Sequence, residues 1–179
     1  YPATLLRVIA LSTSVLAIGY VVPAYMPLFL QQEVGMAPGT TAWVATAGST
    51  FAIVVGFASG FMIDRSGRRN TMILGLGIIL VSMFPIMYLI KATGGNLFVT
   101  ALGHMLLVGL AGASAVPVYA TLTSAFPAAV RYTGAAIGFG LGSAIGGGAG
   151  PYLAGKLTAL TGNSYAASIV VGAAALLGI

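Results

Sequence analysis

Gly60-Phe61-Met62-Ile63-Asp64-Arg65-Ser66-Gly67-Arg68-Arg69 holds one of the chain's two carboxylates and three of its seven basic residues. Long apolar runs flank this stretch on both sides. Ionised side chains are costly in hydrocarbon, so a dense charge knot between two greasy segments cannot rest inside a bilayer. It reads as a tight loop at a membrane face, joining two spanning helices.

Composition supports that setting. The chain is 59% hydrophobic and 5% charged, against about 25% charged residues in ordinary soluble domains. Seven cations and two acids leave too little polar surface for a soluble bundle of 179 residues. There is no cysteine, which excludes a disulfide framework and a thiolate metal site. The formal charge of +5 invites a nucleic-acid reading. The cations are scattered at the ends of apolar runs, however, which is the pattern of membrane topology. The expected partner is therefore the lipid bilayer, and no nucleic acid. The start, Tyr1-Pro2-Ala3-Thr4, lacks a Met and a basic leader, and the final run stops mid-hydrophobic at Ile179. Both ends read as cuts, so the chain is expected to be a fragment.

A hydrocarbon core of about 30 Å needs roughly 20 apolar residues per helical span. Spans are expected over residues 8–30, 41–63, 71–90, 97–124, 134–160 and 165–179, the last truncated. They are expected to be helices, since open strands leave backbone groups unpaired in lipid. Polar and apolar residues do not alternate along them, which argues against a β-barrel. The fold class is thus an all-α membrane protein. Arg7, Arg65, Arg68, Arg69 and Arg131 fall on one side, Lys91 and Lys156 on the other. The excess of cations marks the cytoplasmic side, which puts the 64–70 and 126–133 loops there. Trp43, Tyr88, Phe98 and Tyr165 then lie near the outer interface.

The fifth span carries Gly134, Gly138, Gly142, Gly146 and Gly150, one every four residues. Positions i and i+4 share a face, so this is a groove without side chains that a neighbouring helix can approach. Gly48, Ala52, Gly56 and Gly60 repeat the pattern on the second span. Static packing explains both stripes, and sliding during a conformational cycle is the alternative. Pro23 and Pro27 sit among Tyr20, Tyr25 and Gln31 in the first span, where proline breaks the helical ladder. Pro117 and Tyr119 make a similar break in the fourth. His104, the sole histidine, lies inside that span with Thr100 one turn before it. Tyr119 projects within about 60° of it on a helical wheel. Tyr20, Tyr25, Thr100, His104 and Tyr119 are therefore candidate cavity residues, and packing of a neutral histidine against another helix is the alternative.

Enzymatic readings fare badly. Asp64 and Glu33 stand roughly 45 Å apart at 1.5 Å per residue, too far for paired carboxylates. Ser114 and His104 share a helix about 15 Å apart, too far for a nucleophile and its base. No cofactor or metal is implied.

Gly60-x-x-x-Asp64-Arg65-x-Gly67-Arg68-Arg69 resembles the signature of the major facilitator superfamily between the second and third helices of each six-helix half. Phe126-Pro127-x-x-Val130-Arg131-Tyr132-Thr133-Gly134 resembles the loop between helices ten and eleven in its metabolite:proton symporters, the proline/betaine, α-ketoglutarate, citrate and shikimate carriers. Where many relatives have an acid before that Phe-Pro, Ser124 and Ala125 stand here. The resemblance implies that residues 1–179 are a C-terminal six-helix half. It implies that Gly60, Asp64, Arg65, Gly67, Arg68, Arg69 and Arg131 form a latch at the cytoplasmic face. It further implies proton-coupled uptake of a small organic acid or zwitterionic metabolite across the cell inner (plasma) membrane, with the missing N-terminal half as partner. A carrier of the same fold for sugar uptake or drug efflux, and a non-transporting membrane scaffold, remain alternatives.

Overall fold

A computed structural model describes residues 1–122 and 124–179 of the chain. Helices form nearly all of it: α1 (Pro2–Gln32), α2 (Pro38–Ser66), α3 (Arg68–Ala92), α4 (Leu97–Leu122), α5 (Arg131–Gly142), α6 (Gly150–Thr161) and α7 (Ala166–Gly178). A π-helical segment, Ser143–Ala149, links α5 to α6, so one helical run extends from Arg131 to Thr161. No strand occurs among the described residues. The architecture is all-α, as composition predicts. α1 to α4 are each long and apolar enough to cross a membrane. The end of the expected 97–124 span includes Thr123, which lies outside the described residues.

The helices outrun the apolar spans at most ends, because the hydrogen-bond ladder continues into polar residues. This corrects the expectation of loops over 64–70 and 126–133. Asp64, Arg65 and Ser66 are the last turn of α2, and Arg68, Arg69 and Asn70 the first of α3. Only Gly67 lies outside a helix there, with φ 82° and ψ 158°. That backbone conformation is essentially confined to glycine. A single residue thus reverses the chain, and the charged side chains project from helix ends. In the second stretch, Ala128–Val130 form a short 3-10 turn and Arg131 already opens α5.

The prolines correct a second expectation. α1 continues through Pro23 and Pro27, and α4 through Pro117, without a break in helix assignment. Each proline still withholds one N–H from the carbonyl four residues earlier. For Pro117 that carbonyl is Ala113, and the Ser59 hydroxyl of α2 donates to it at 2.8 Å. A side chain from the next helix thus replaces the missing donor, as neighbouring helices commonly do in membranes.

α1 is the hub, touching every other helix except α3 closely. α4 packs between α2 and α3, and α7 closes the bundle against α1, α3 and α6. The fifth-span glycines permit the tightest contact. A Cβ on Gly138 would collide with Val8, on Gly142 with Ser12, and on Gly146 with the Thr13 backbone. Gly150 faces Ala17 and Val21, whereas Gly134 faces the Phe126 ring instead of α1. Close backbone approach of this kind favours the dispersion contacts that hold membrane helices together. Ser14 adds a hydrogen bond from α1 to the Ala174 carbonyl of α7 at 2.6 Å.

Candidate functional site

Four helical runs line an open cavity of about 340 Å³: α1 through Gly19, Tyr20 and Pro23, α2 through Ala52, α4 through Gly112 and Tyr119, and the fifth span through Phe139 and Ser143. The small residues leave the space. The Tyr20 and Tyr119 rings and the Ser143 hydroxyl give it hydrogen-bonding groups within largely apolar walls, the usual chemistry of small-molecule sites. Pro23 has no N–H for the Gly19 carbonyl, so a backbone acceptor without its helical donor belongs to the same wall. Tyr20 also packs on the π segment, where a Cβ on Gly147 would stand 3.1 Å from its ring. Tyr119 meets Phe139 with ring centroids 5.9 Å apart.

Of the five candidate cavity residues, only Tyr20 and Tyr119 meet here. Tyr25 is buried, and its hydroxyl shares a 2.8 Å hydrogen bond with Thr158 and donates to the Ser164 carbonyl at 3.0 Å. It lines a separate hollow of about 260 Å³ between α1 and α6, with Gln32 and Glu33. Thr100 and His104 are buried between helices and line neither cavity. His104 fills the notch at Gly48 of α2, where a Cβ would stand 2.7 Å from its Cδ2. The grouping of His104 with Tyr119 is corrected by length: fifteen residues of helix separate them axially by about 22 Å despite the shared wheel direction. The Thr100 hydroxyl and His104 Nδ1 have no hydrogen-bond partner among the described residues.

The charged end is built from hydrogen bonds rather than ion pairs. Arg68 donates through Nη1 to the Ala120 carbonyl at 3.0 Å and to Ser124 Oγ at 2.6 Å. The Ser124 hydroxyl oxygen thus accepts from the guanidinium. Arg131 donates through Nε to the Phe126 carbonyl at 3.1 Å. Asp64, Arg65 and Arg69 are exposed, and Asp64 forms no ion pair among the described residues. A Cβ on Gly60 would meet nothing within 4 Å, so this end of the α2 stripe is open.

At the opposite end, Lys91 donates to Glu33 Oε2 and to Ser164 Oγ, both at 2.9 Å, and its ammonium lies 5.7 Å from the Tyr165 ring centroid. The lysine holds the Glu33 carboxyl below its ordinary range, chiefly by that hydrogen bond. This tie among α1, α3 and the α6–α7 connection was not legible from sequence, since its members are 58 and 73 residues apart. Ser143 and Phe139 were also missed. The only sequence signal for the π segment is the run Gly146-Gly147-Gly148 before Pro151.

With this geometry in hand, the comparisons are specific. The family model described as Major Facilitator Superfamily matches residues 8–179. The shikimate transporter of Escherichia coli (strain K12) is 29% identical over 181 aligned residues. That alignment covers 99% of this chain and 40% of the relative, so the chain spans less than half the length of the protein it matches.

Proposed function

The chain belongs to the major facilitator superfamily, and from that premise we propose that it forms the C-terminal six-helix half of a secondary active transporter. Membership and apolar helices make it a multi-pass membrane protein. Its activity is solute movement and not catalysis. The cargo is a small organic acid or zwitterion, carried with a proton across the inner membrane. The likeness to a protein named shikimate transporter supports the metabolite class.

The observation that carries this reading is the cavity walled by α1, α2, α4 and the fifth span, with Tyr20, Tyr119 and Ser143 as its polar groups. Central sites at the interface of two rocking repeats are the working geometry of such carriers. This half supplies one wall, and the missing N-terminal half supplies the other. The chain's two acids, Glu33 and Asp64, sit at helix ends, so the proton-coupling carboxylate is assigned to the other half. Gly60, Asp64, Arg65, Gly67, Arg68 and Arg69, with Arg131 nearby, form the cytoplasmic latch. The open surface at Gly60, and an Asp64 with no ion pair among the described residues, leave room for its opposing element there.

The test uses the complete carrier in proteoliposomes with radiolabelled shikimate, α-ketoglutarate and proline as separate probes. One of them is expected to accumulate under an inward proton gradient and to stop when a protonophore is added. Uptake that ignores the gradient overturns proton coupling, and exclusive transport of a sugar or a hydrophobic cation overturns the metabolite class.

A further inference from the structure

A second cavity, of about 670 Å³, lies between α4 and α5 on the charged side of the bundle. It shares Tyr119 and Phe139 with the central cavity, so that one aromatic pair forms a common wall. Among the described residues, Arg131, Tyr132 and Ser124 supply its other polar groups, and no acidic residue lines it. Only Nε of Arg131 has an acceptor among the described residues, the Phe126 carbonyl. That bond fixes the guanidinium at its base and leaves the terminal N–H groups to a ligand. A second guanidinium, Arg68, reaches the rim through Ser124.

Apolar rings beside an uncompensated, partly anchored guanidinium suit an anion with a hydrocarbon body. Carboxylates match the arginine fork geometrically, and charge-assisted hydrogen bonds of this type are among the stronger ones in proteins. We propose that this cavity is a second substrate site, in which Arg131 receives the carboxylate of the metabolite after it passes the Tyr119–Phe139 pair and before it leaves to the cytoplasm. The site rests on the transport reading above. It differs from a latch role for Arg131 in one respect: a ligand site on one side of the aromatic pair affects binding from that side selectively.

The experiment uses the complete carrier in oriented proteoliposomes, with radiolabelled shikimate offered from the inner or the outer face. Arg131→Gln is expected to raise the ratio of inner to outer half-saturation concentration by roughly tenfold, the scale of one lost charge-assisted hydrogen bond. Arg131→Lys keeps the charge and is expected to hold that ratio within about threefold, since Lys remains a point-charge binder of anions. Ala135→Glu leaves the Arg131–Phe126 bond intact while placing a carboxylate in the cavity, whose wall includes Ala135. It is expected to raise the same ratio. Equal effects on both faces, or none, with Arg131→Gln and Ala135→Glu overturn the site while leaving the transport reading in place. The same ratios are measured with radiolabelled α-ketoglutarate, and no saturable movement of either acid by the unsubstituted carrier, from either face, overturns the anionic-cargo reading and the site together.

Discussion

Asp64 and Glu33 share a charge and a place at a helix end, yet their surroundings assign them different tasks. Glu33 is satisfied within this chain by Lys91, whereas Asp64 has no ion-pair partner among the described residues. An acid at a fixed position that is unpaired in one arrangement is suited to pair in another. Asp64→Asn in the complete carrier is expected to slow transport on the order of tenfold, equivalent to ~1.4 kcal/mol of altered state preference. The substrate half-saturation concentration should stay within about twofold, because the residue lies far from the cavity along α2. Unchanged uptake in Asp64→Asn would remove Asp64 from the latch. Glu33 gives a pH-dependent expectation instead. Its carboxyl is depressed in the folded state, so the stabilisation is fully present above the ordinary value of 4.5. It is lost as pH falls through the lowered folded value. Both partners are more than a third exposed, so water screens the pair and its contribution is ~0.2–1 kcal/mol. Thermal unfolding should therefore show Glu33→Gln slightly less stable than the parent at pH 7, with the difference closing below pH 4.5. A difference that instead widens on acidification would contradict the Lys91 attribution.

Helix existence was legible at the scale of the element because it follows from length and hydropathy, and the described residues are almost wholly helical. Helix identity at the ends was not, because Asp64 and Arg68 continue the backbone ladder while one positive-φ glycine makes the turn. Glycine spacing suggested that some helix approaches the fifth span closely, but not that α1 is that helix. The cavity was legible only in part: Tyr20 and Tyr119 reach it, but His104 does not. An isolated histidine has no sequence signature that tells a cavity from the notch opposite Gly48. Position within the stripe yields a sharper test than the stripe itself. Gly142 lies against Ser12 and the Thr13 backbone, whereas a Cβ on Gly140 would meet nothing within 4 Å. Gly142→Ala must push α1 away and is expected to cost ~1–3 kcal/mol by overpacking. Gly140→Ala should be neutral or stabilise slightly, by up to ~1 kcal/mol, since alanine is the better helix former. Denaturation of the two variants of the complete carrier in mild detergent compares them directly. Equal losses would mean that the glycines act through backbone flexibility and not through close approach.

Exposure is distributed unevenly over the described residues, and the imbalance bears on the proposal that the chain is one half of a carrier. α1 is half buried across its most apolar window, while only 11% of the corresponding window of α2 is buried. Ile53, Val54, Phe57 and Phe61 stand out from α2 as exposed apolar side chains. The central cavity lies beside this helix, and its described lining, Ala52 among it, covers only part of its surround. A carrier must close such a site from one aqueous phase before opening it to the other, which requires two bodies that move against each other. Six helical runs, with α1 as their hub, provide one body. The chain by itself is therefore expected to insert into liposomes without saturable uptake of shikimate under a proton gradient, whereas co-expression with the missing half should restore it. The comparison is made at equal protein density, and crosslinking establishes that the fragment is monomeric. Substrate-specific, saturable uptake by the monomeric fragment would show that the path closes within six helices. It would also reassign the exposed apolar face of α2 from the interface between halves to lipid.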